Sequence, residues 1–159
     1  MLKWYIIIAA VLFAGYTWQS GSAQQPKVIT DPVYVEFRMD LDAGGRTLNA
    51  VLFGRMASRQ ECELEADDIW QKSLAECKQC QFKSSSCQKE LPSRYAGIFE
   101  NQPLNTTYIS FDSGHATERD GRMVLWGMND AEAEMVCEFM REGMAKHYHG
   151  DVRCVVGGG

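Results

Sequence analysis

The chain has no surplus of positive charge. It holds 16 Lys and Arg against 21 Asp and Glu, with a net charge of -5 and an isoelectric point near 5.2. Proteins that follow a phosphate backbone present a basic face or stripe, so nucleic acid is excluded as a partner. The sequence also lacks a catalytic or cofactor motif of real specificity. No catalytic residue, metal or cofactor is therefore assigned, and the chain is expected not to be an enzyme. No cysteine directly follows the N-terminal apolar run, which excludes a lipid-modified N-terminus.

Three short patterns invite chemistry and have simpler explanations. Asp112-Ser113-Gly114 matches the triplet of aspartic proteases, in which paired carboxylates activate water. His115 stands where that family has a small residue, and the chain is too short for the second signature, so Asp112 and Ser113 read as turn formers. Met140, Met144 and His147 fall at i, i+4 and i+7, a soft donor set suited to copper, but the same spacing describes a core face filled by methionine. Cys77, Cys80 and Cys87 with a histidine do not form the two close ligand pairs usual for zinc.

What is present is an apolar run over residues 4–18 followed by six cysteines. Lys3, the run, and then Gly21-Ser22-Ala23 fit an export signal cleaved near Ala23. Alternatively Trp4, Tyr5, Tyr16 and Trp18 bracket the run as an interfacial belt would, and residues 2–18 stay as a membrane anchor. Either way the domain is expected to be extracytoplasmic, periplasmic in a bacterium, and attached through its N-terminal segment or secreted. Cys62, Cys77, Cys80, Cys87, Cys137 and Cys154 then read as three disulfides, with 15 pairings open. Cys77-x-x-Cys80 could instead be a redox couple, although such pairs normally sit at a helix N-terminus and this one falls at an expected C-terminus.

Residues 1–23 thus form a signal peptide or anchor, residues 24–32 a polar tether, and residues 33–156 one domain. Val33, Val35, Phe37 and Met39 alternate with polar neighbours, predicting a strand that turns at Asp42-Ala43-Gly44-Gly45 into a partner over residues 47–54. Ser58 and Glu61 form a capping box for a helix over residues 59–77, whose acidic first turns suit the helix dipole. Strands over residues 107–112 and 122–127, a helix capped by Asn129 and Glu132 running to about residue 148, and a last strand over residues 151–156 complete the order.

Val33-Tyr34-Val35-Glu36-Phe37 answers Thr107-Tyr108-Ile109-Ser110-Phe111, and Val51-Leu52-Phe53-Gly54 answers Val124-Leu125-Trp126-Gly127. The pattern predicts an α+β fold: an antiparallel sheet with two helices on one face, an internal ββα repeat of ferredoxin-like order, stapled by disulfides. Residues 78–105, rich in Ser, Gln and Lys, read as an inserted loop that carries cysteines.

The order strand, helix, strand, strand, helix, strand from residue 47 to residue 156, behind a Trp-flanked run, resembles sporulation-related repeat (SPOR) domains in topology. That resemblance implies binding to bacterial cell-wall glycans as one alternative and transfers no binding residues. The leading expectation is a non-enzymatic module that binds an envelope component or a membrane-protein partner. A thiol–disulfide protein using Cys77 and Cys80 is the other alternative.

Overall fold

The computed structural model describes residues 27–158 apart from Glu76 and Arg119. The N-terminal apolar run, and with it the choice between leader and anchor, lies outside the described residues. Among the described residues no helix is long and apolar enough to cross a membrane.

The elements are β1 (Val33–Asp42), β2 (Thr47–Met56), α1 (Arg59–Asp68), β3 (Cys80–Gln88), β4 (Tyr108–Asp112), β5 (Gly121–Trp126), α2 (Asp130–Met144) and β6 (Asp151–Val155). All six strands join one sheet in the order β3-β1-β2-β5-β4-β6, and every neighbouring pair is antiparallel. The expected α+β architecture is therefore the observed one.

Local chemistry explains each start and stop. The odd residues of β1 from Val33 to Leu41 are all buried, as period-two alternation requires. The turn that follows is closed by the Asp42 carboxylate, which accepts from the Gly44 N–H at 2.8 Å, and Gly44 and Gly45 take φ of 75° and 104°, where a side chain would be strained. Ser58 Oγ accepts from the Glu61 N–H at 3.1 Å, but the Glu61 carboxylate reaches back to the N–H of Ala57 rather than Ser58, giving half of the expected box. At α2 the box is complete, with Asn129 and Glu132 each capping the other's backbone.

The first helix does not run as α to residue 77. It passes into a π turn over Ile69–Ser73, closed by the Leu74 N–H donating to the Ile69 carbonyl at 3.0 Å. Ile69 and Leu74 both enter the core, and five residues separate them; an α-helix would splay them, whereas a π turn stacks them. The second helix ends at Met144, four residues before the expected limit, and the following turn places the Tyr148 ring edge-on to Phe111.

Both helices pack on one face of the sheet. Beneath them Phe37, Met39, Leu48, Ile109, Met123, Val136 and Met140 form the main cluster, and Val33, Val35 and Met56 extend it under the start of α1. Residues 78–105 are not an inserted loop. Their first part is β3, an edge strand paired to β1 with a bulge between Arg38 and Met39. Their remainder crosses the opposite face of the sheet, where Tyr95, Ile98 and Phe99 seal Phe53, Tyr108 and Val124. The sheet is therefore covered on both faces.

The repeat is larger than the expected ββα. Each half is ββαβ: β3 returns to pair with β1, and β6 returns to pair with β4. Cys87 lies opposite Val35 and Cys154 opposite Ile109, two positions that the sequence comparison already matched. The second match slips by four residues. Val35 faces Gly54 across the hairpin while Ile109 faces Met123, so Gly54 answers Met123 and not Gly127. From residue 47 onward the chain holds one strand more than the SPOR resemblance requires, namely β3, and that resemblance is not carried further.

The tether is engaged before β1 begins. Val28 bridges to Thr117, the Ile29 N–H donates to the Ala116 carbonyl at 2.8 Å, and Ile29 is buried.

Candidate functional site

All six predicted cysteines are paired, as Cys62–Cys87, Cys77–Cys80 and Cys137–Cys154. The first and third do the same work in the two halves, tying a helix to the edge strand that follows it. They span 25 and 17 residues, whereas Cys77–Cys80 spans three. In the loop-closure account these separations contribute about 3.5, 3.1 and 1.6 kcal/mol respectively. Cys62 and Cys137 are buried; Cys77 and Cys80 are half-buried.

Cys77–Cys80 lies at the junction between the π turn and β3. Cys80 packs beside the main core, and two residues on the Phe82 ring stands 5.5 Å from both Phe37 and Trp70. Phe82 remains 39% exposed.

The interior polar groups are committed to the framework. Asp120 is fully buried and accepts from the Ser113 N–H (3.0 Å), the Ser113 hydroxyl (2.7 Å) and the Thr117 N–H (3.2 Å), and pairs with Arg55 at 3.0 Å. Arg122, also buried, donates to the carbonyls of Ile98, Phe99, Phe111 and Gly121 at 2.7–3.1 Å and meets Asp112 at 3.3 Å. Its guanidinium and that of Arg55 both stack on Phe99, at 4.9 and 4.3 Å. Burial lowers the Arg122 pKa, opposed by the charge of Asp112. Burial alone would raise Asp112, but the Gly114 N–H and the Arg122 charge outweigh it and hold this carboxyl below its ordinary range.

Asp112 and Ser113 are thus turn and framework residues, as expected. Every buried side-chain N or O among the described residues has a hydrogen-bond partner. Met140 and Met144 are buried under the sheet-facing side of α2 while His147 is at the surface, so the structure separates this trio. The void among Ile109, Met123, Leu125, Met128 and Val136 is about 10 Å³, enough for one water at most.

The helical layer differs from the rest of the surface. Each helix carries five carboxylates and one arginine, so the pair holds -8 of a chain whose net charge is -5, and everything else sums to +3. Large apolar side chains stand out from this acidic layer: Leu64 at 61% exposure on α1, Met135 at 67% and Phe139 at 39% on α2. Leu64 and Phe139 occupy the same place relative to the staple, in Cys62-Glu63-Leu64 and Cys137-Glu138-Phe139. The carboxylates of α1 suit the dipole at its start, and no hydropathy pattern marks Leu64, Met135 and Phe139 as exposed. The repeated Cys-Glu-apolar triplet is the signal that could have found them.

No known protein family, no characterised protein and no solved structure matches the chain.

Proposed function

We propose that this domain is a non-enzymatic interaction module working outside the cytosol, a disulfide-stapled scaffold whose acidic helical layer receives a basic segment of an envelope or membrane-protein partner. Its N-terminal residues hold it at a membrane or release it after cleavage near Ala23. The observation that carries this reading is the coincidence of charge and exposure: Leu64, Met135 and Phe139 emerge from the two elements that concentrate the negative charge. Exposed apolar side chains within a field of one sign suit a partner of complementary sign and an apolar stripe. Three paired disulfides support an oxidising compartment. A second copy, nucleic acid or an anionic lipid surface would each set like charge against this layer.

The test is an NMR titration of the oxidised domain with a synthetic amphipathic Lys/Leu helix. Shifts should centre on α1 and α2. Joint substitution of Leu64, Met135 and Phe139 by Ser should weaken binding at least tenfold, whereas Glu90→Gln with Glu100→Gln, outside the helices, should leave it within twofold. Shifts spread over the opposite face, or equal affinity for the Ser variant, would sink the proposal.

A further inference from the structure

We infer that Cys77–Cys80 is a thiol–disulfide exchange site, the one cystine of this protein that opens to a partner's thiols while the fold stays closed. The internal repeat supplies the control. Both halves must lead the chain from a helix into an edge strand, and both fix that strand to the helix by an equivalent long-range disulfide. The second half completes the passage through residues 145–150, which contain no cysteine. The first half adds Cys77–Cys80 on top of its staple. The architecture therefore does not require this third bond.

Its position suits exchange. Each staple joins one buried cysteine, Cys62 or Cys137, to one half-buried cysteine, Cys87 or Cys154, so only one sulfur of each is open to approach. Cys77 and Cys80 are both half-buried. They close a loop of three residues, which leaves both sulfurs near one another after opening, and the Cys80 N–H bond to the Cys77 carbonyl at 3.1 Å holds the turn without the bond between sulfurs. Cys80 packs on the core side, so the approach is to Cys77. The exposed edge of Phe82, backed by Trp70, offers an apolar rest for a peptide beside it.

The chemistry is a two-electron transfer from a dithiol protein or peptide. A thiolate of the partner attacks Cys77 Sγ; the bond to Cys80 breaks, and its electron pair leaves on the Cys80 sulfur, which takes a proton from water. The partner's second thiolate then attacks the mixed disulfide and expels Cys77. The partner ends as a disulfide, and Cys77 and Cys80 as two thiols. The site is independent of the helical layer, so its failure would leave the docking proposal standing.

The experiment takes the oxidised chain through a graded dithiothreitol series, with alkylation and peptide mapping at each step. Cys77 and Cys80 should become labelled at least ten times faster than the other four, with the near-ultraviolet circular dichroism unchanged. In parallel, oxidation of a synthetic dithiol peptide should be lost in Cys77→Ser/Cys80→Ser, and in Cys80→Ser the Cys77 thiolate should attack oxidised glutathione, keeping one glutathionyl group and releasing one reduced glutathione. Opening of all three bonds together, or undiminished peptide oxidation by the double variant, would overturn the assignment. The wild-type labelling order decides the matter even where a variant folds poorly.

Discussion

The two halves of this molecule solve one packing problem with different materials. The first is long-stranded, with ten, ten and nine residues in β1, β2 and β3; the second uses five, six and five in β4, β5 and β6. Long strands in the first half bury an unbroken row of apolar residues under α1 and the π turn. The shorter second half buries less strand and compensates with two charged residues, Asp120 and Arg122, that bind loops to the sheet. What both retain is the helix-to-edge staple. An edge strand has a sheet neighbour on one side only, so tying it to the helix above is the device that the architecture needs twice.

Removing Arg122 should weaken the second half most severely. Arg122→Met strands the carbonyls of Ile98, Phe99 and Phe111 in a dry interior, and a loss of about 3 to 5 kcal/mol is expected from urea unfolding. The equivalence of the halves is tested next by deleting each staple as a Ser pair. Cys62/Cys87 and Cys137/Cys154 should each cost about 3 kcal/mol and agree within ~1, while Cys77/Cys80 should cost about 1.6 or less. Strongly unequal staples would break the comparison.

Titration sharpens it at finer scale. Tyr108 donates its hydroxyl to the Gln102 carbonyl at 2.8 Å, and burial pushes its pKa up to about 12. Stability tied to the neutral phenol should be complete below pH about 10 and fall as pH rises towards 12, a slope that Tyr108→Phe abolishes at a cost of about 1 kcal/mol at neutral pH. Asp112 is shifted downward, so its contribution is present above the ordinary carboxylate range and disappears as pH falls through its lowered value; Asp112→Asn should flatten acid unfolding there.

The smallest effect belongs to α1. Burial, then the charge of Asp68, raises the Glu65 pKa, so its ionised form is disfavoured in the fold and its contribution fades as pH rises. Glu65→Gln should raise the melting temperature slightly at pH 7 and leave it unchanged at pH 3.

Legibility in the sequence followed the physics of exposure. β1, β2, β4 and β5 each have a buried side, so alternation or apolar runs reveal them, and the caps Ser58 and Asn129 mark both helix starts. β3 is hidden because Cys80, Phe82 and Cys87 are the only apolar residues of Cys80–Gln88, and Ser84, Ser85 and Ser86 in sequence interrupt the alternation. The covering segment was legible in principle: Tyr95, Ile98 and Phe99 are large apolar residues in a polar stretch, and all three are buried. Arg122 looked like one polar member of an apolar strand, and nothing local distinguishes a buried arginine from an exposed one. The six cysteines are legible, but Cys62–Cys87 depends on the return of β3 to β1 and Cys137–Cys154 on the return of β6 to β4.

No disulfide joins one half to the other: each staple closes within its own ββαβ unit, and the seam between β2 and β5 is held by hydrogen bonds, packing and ion pairs such as Arg55–Asp120, none of them covalent. The polypeptide crosses from one unit to the next once, through residues 89–107. A single nick there would turn one molecule into two fragments, each internally cross-linked, whose continued association is a bimolecular equilibrium set by dilution.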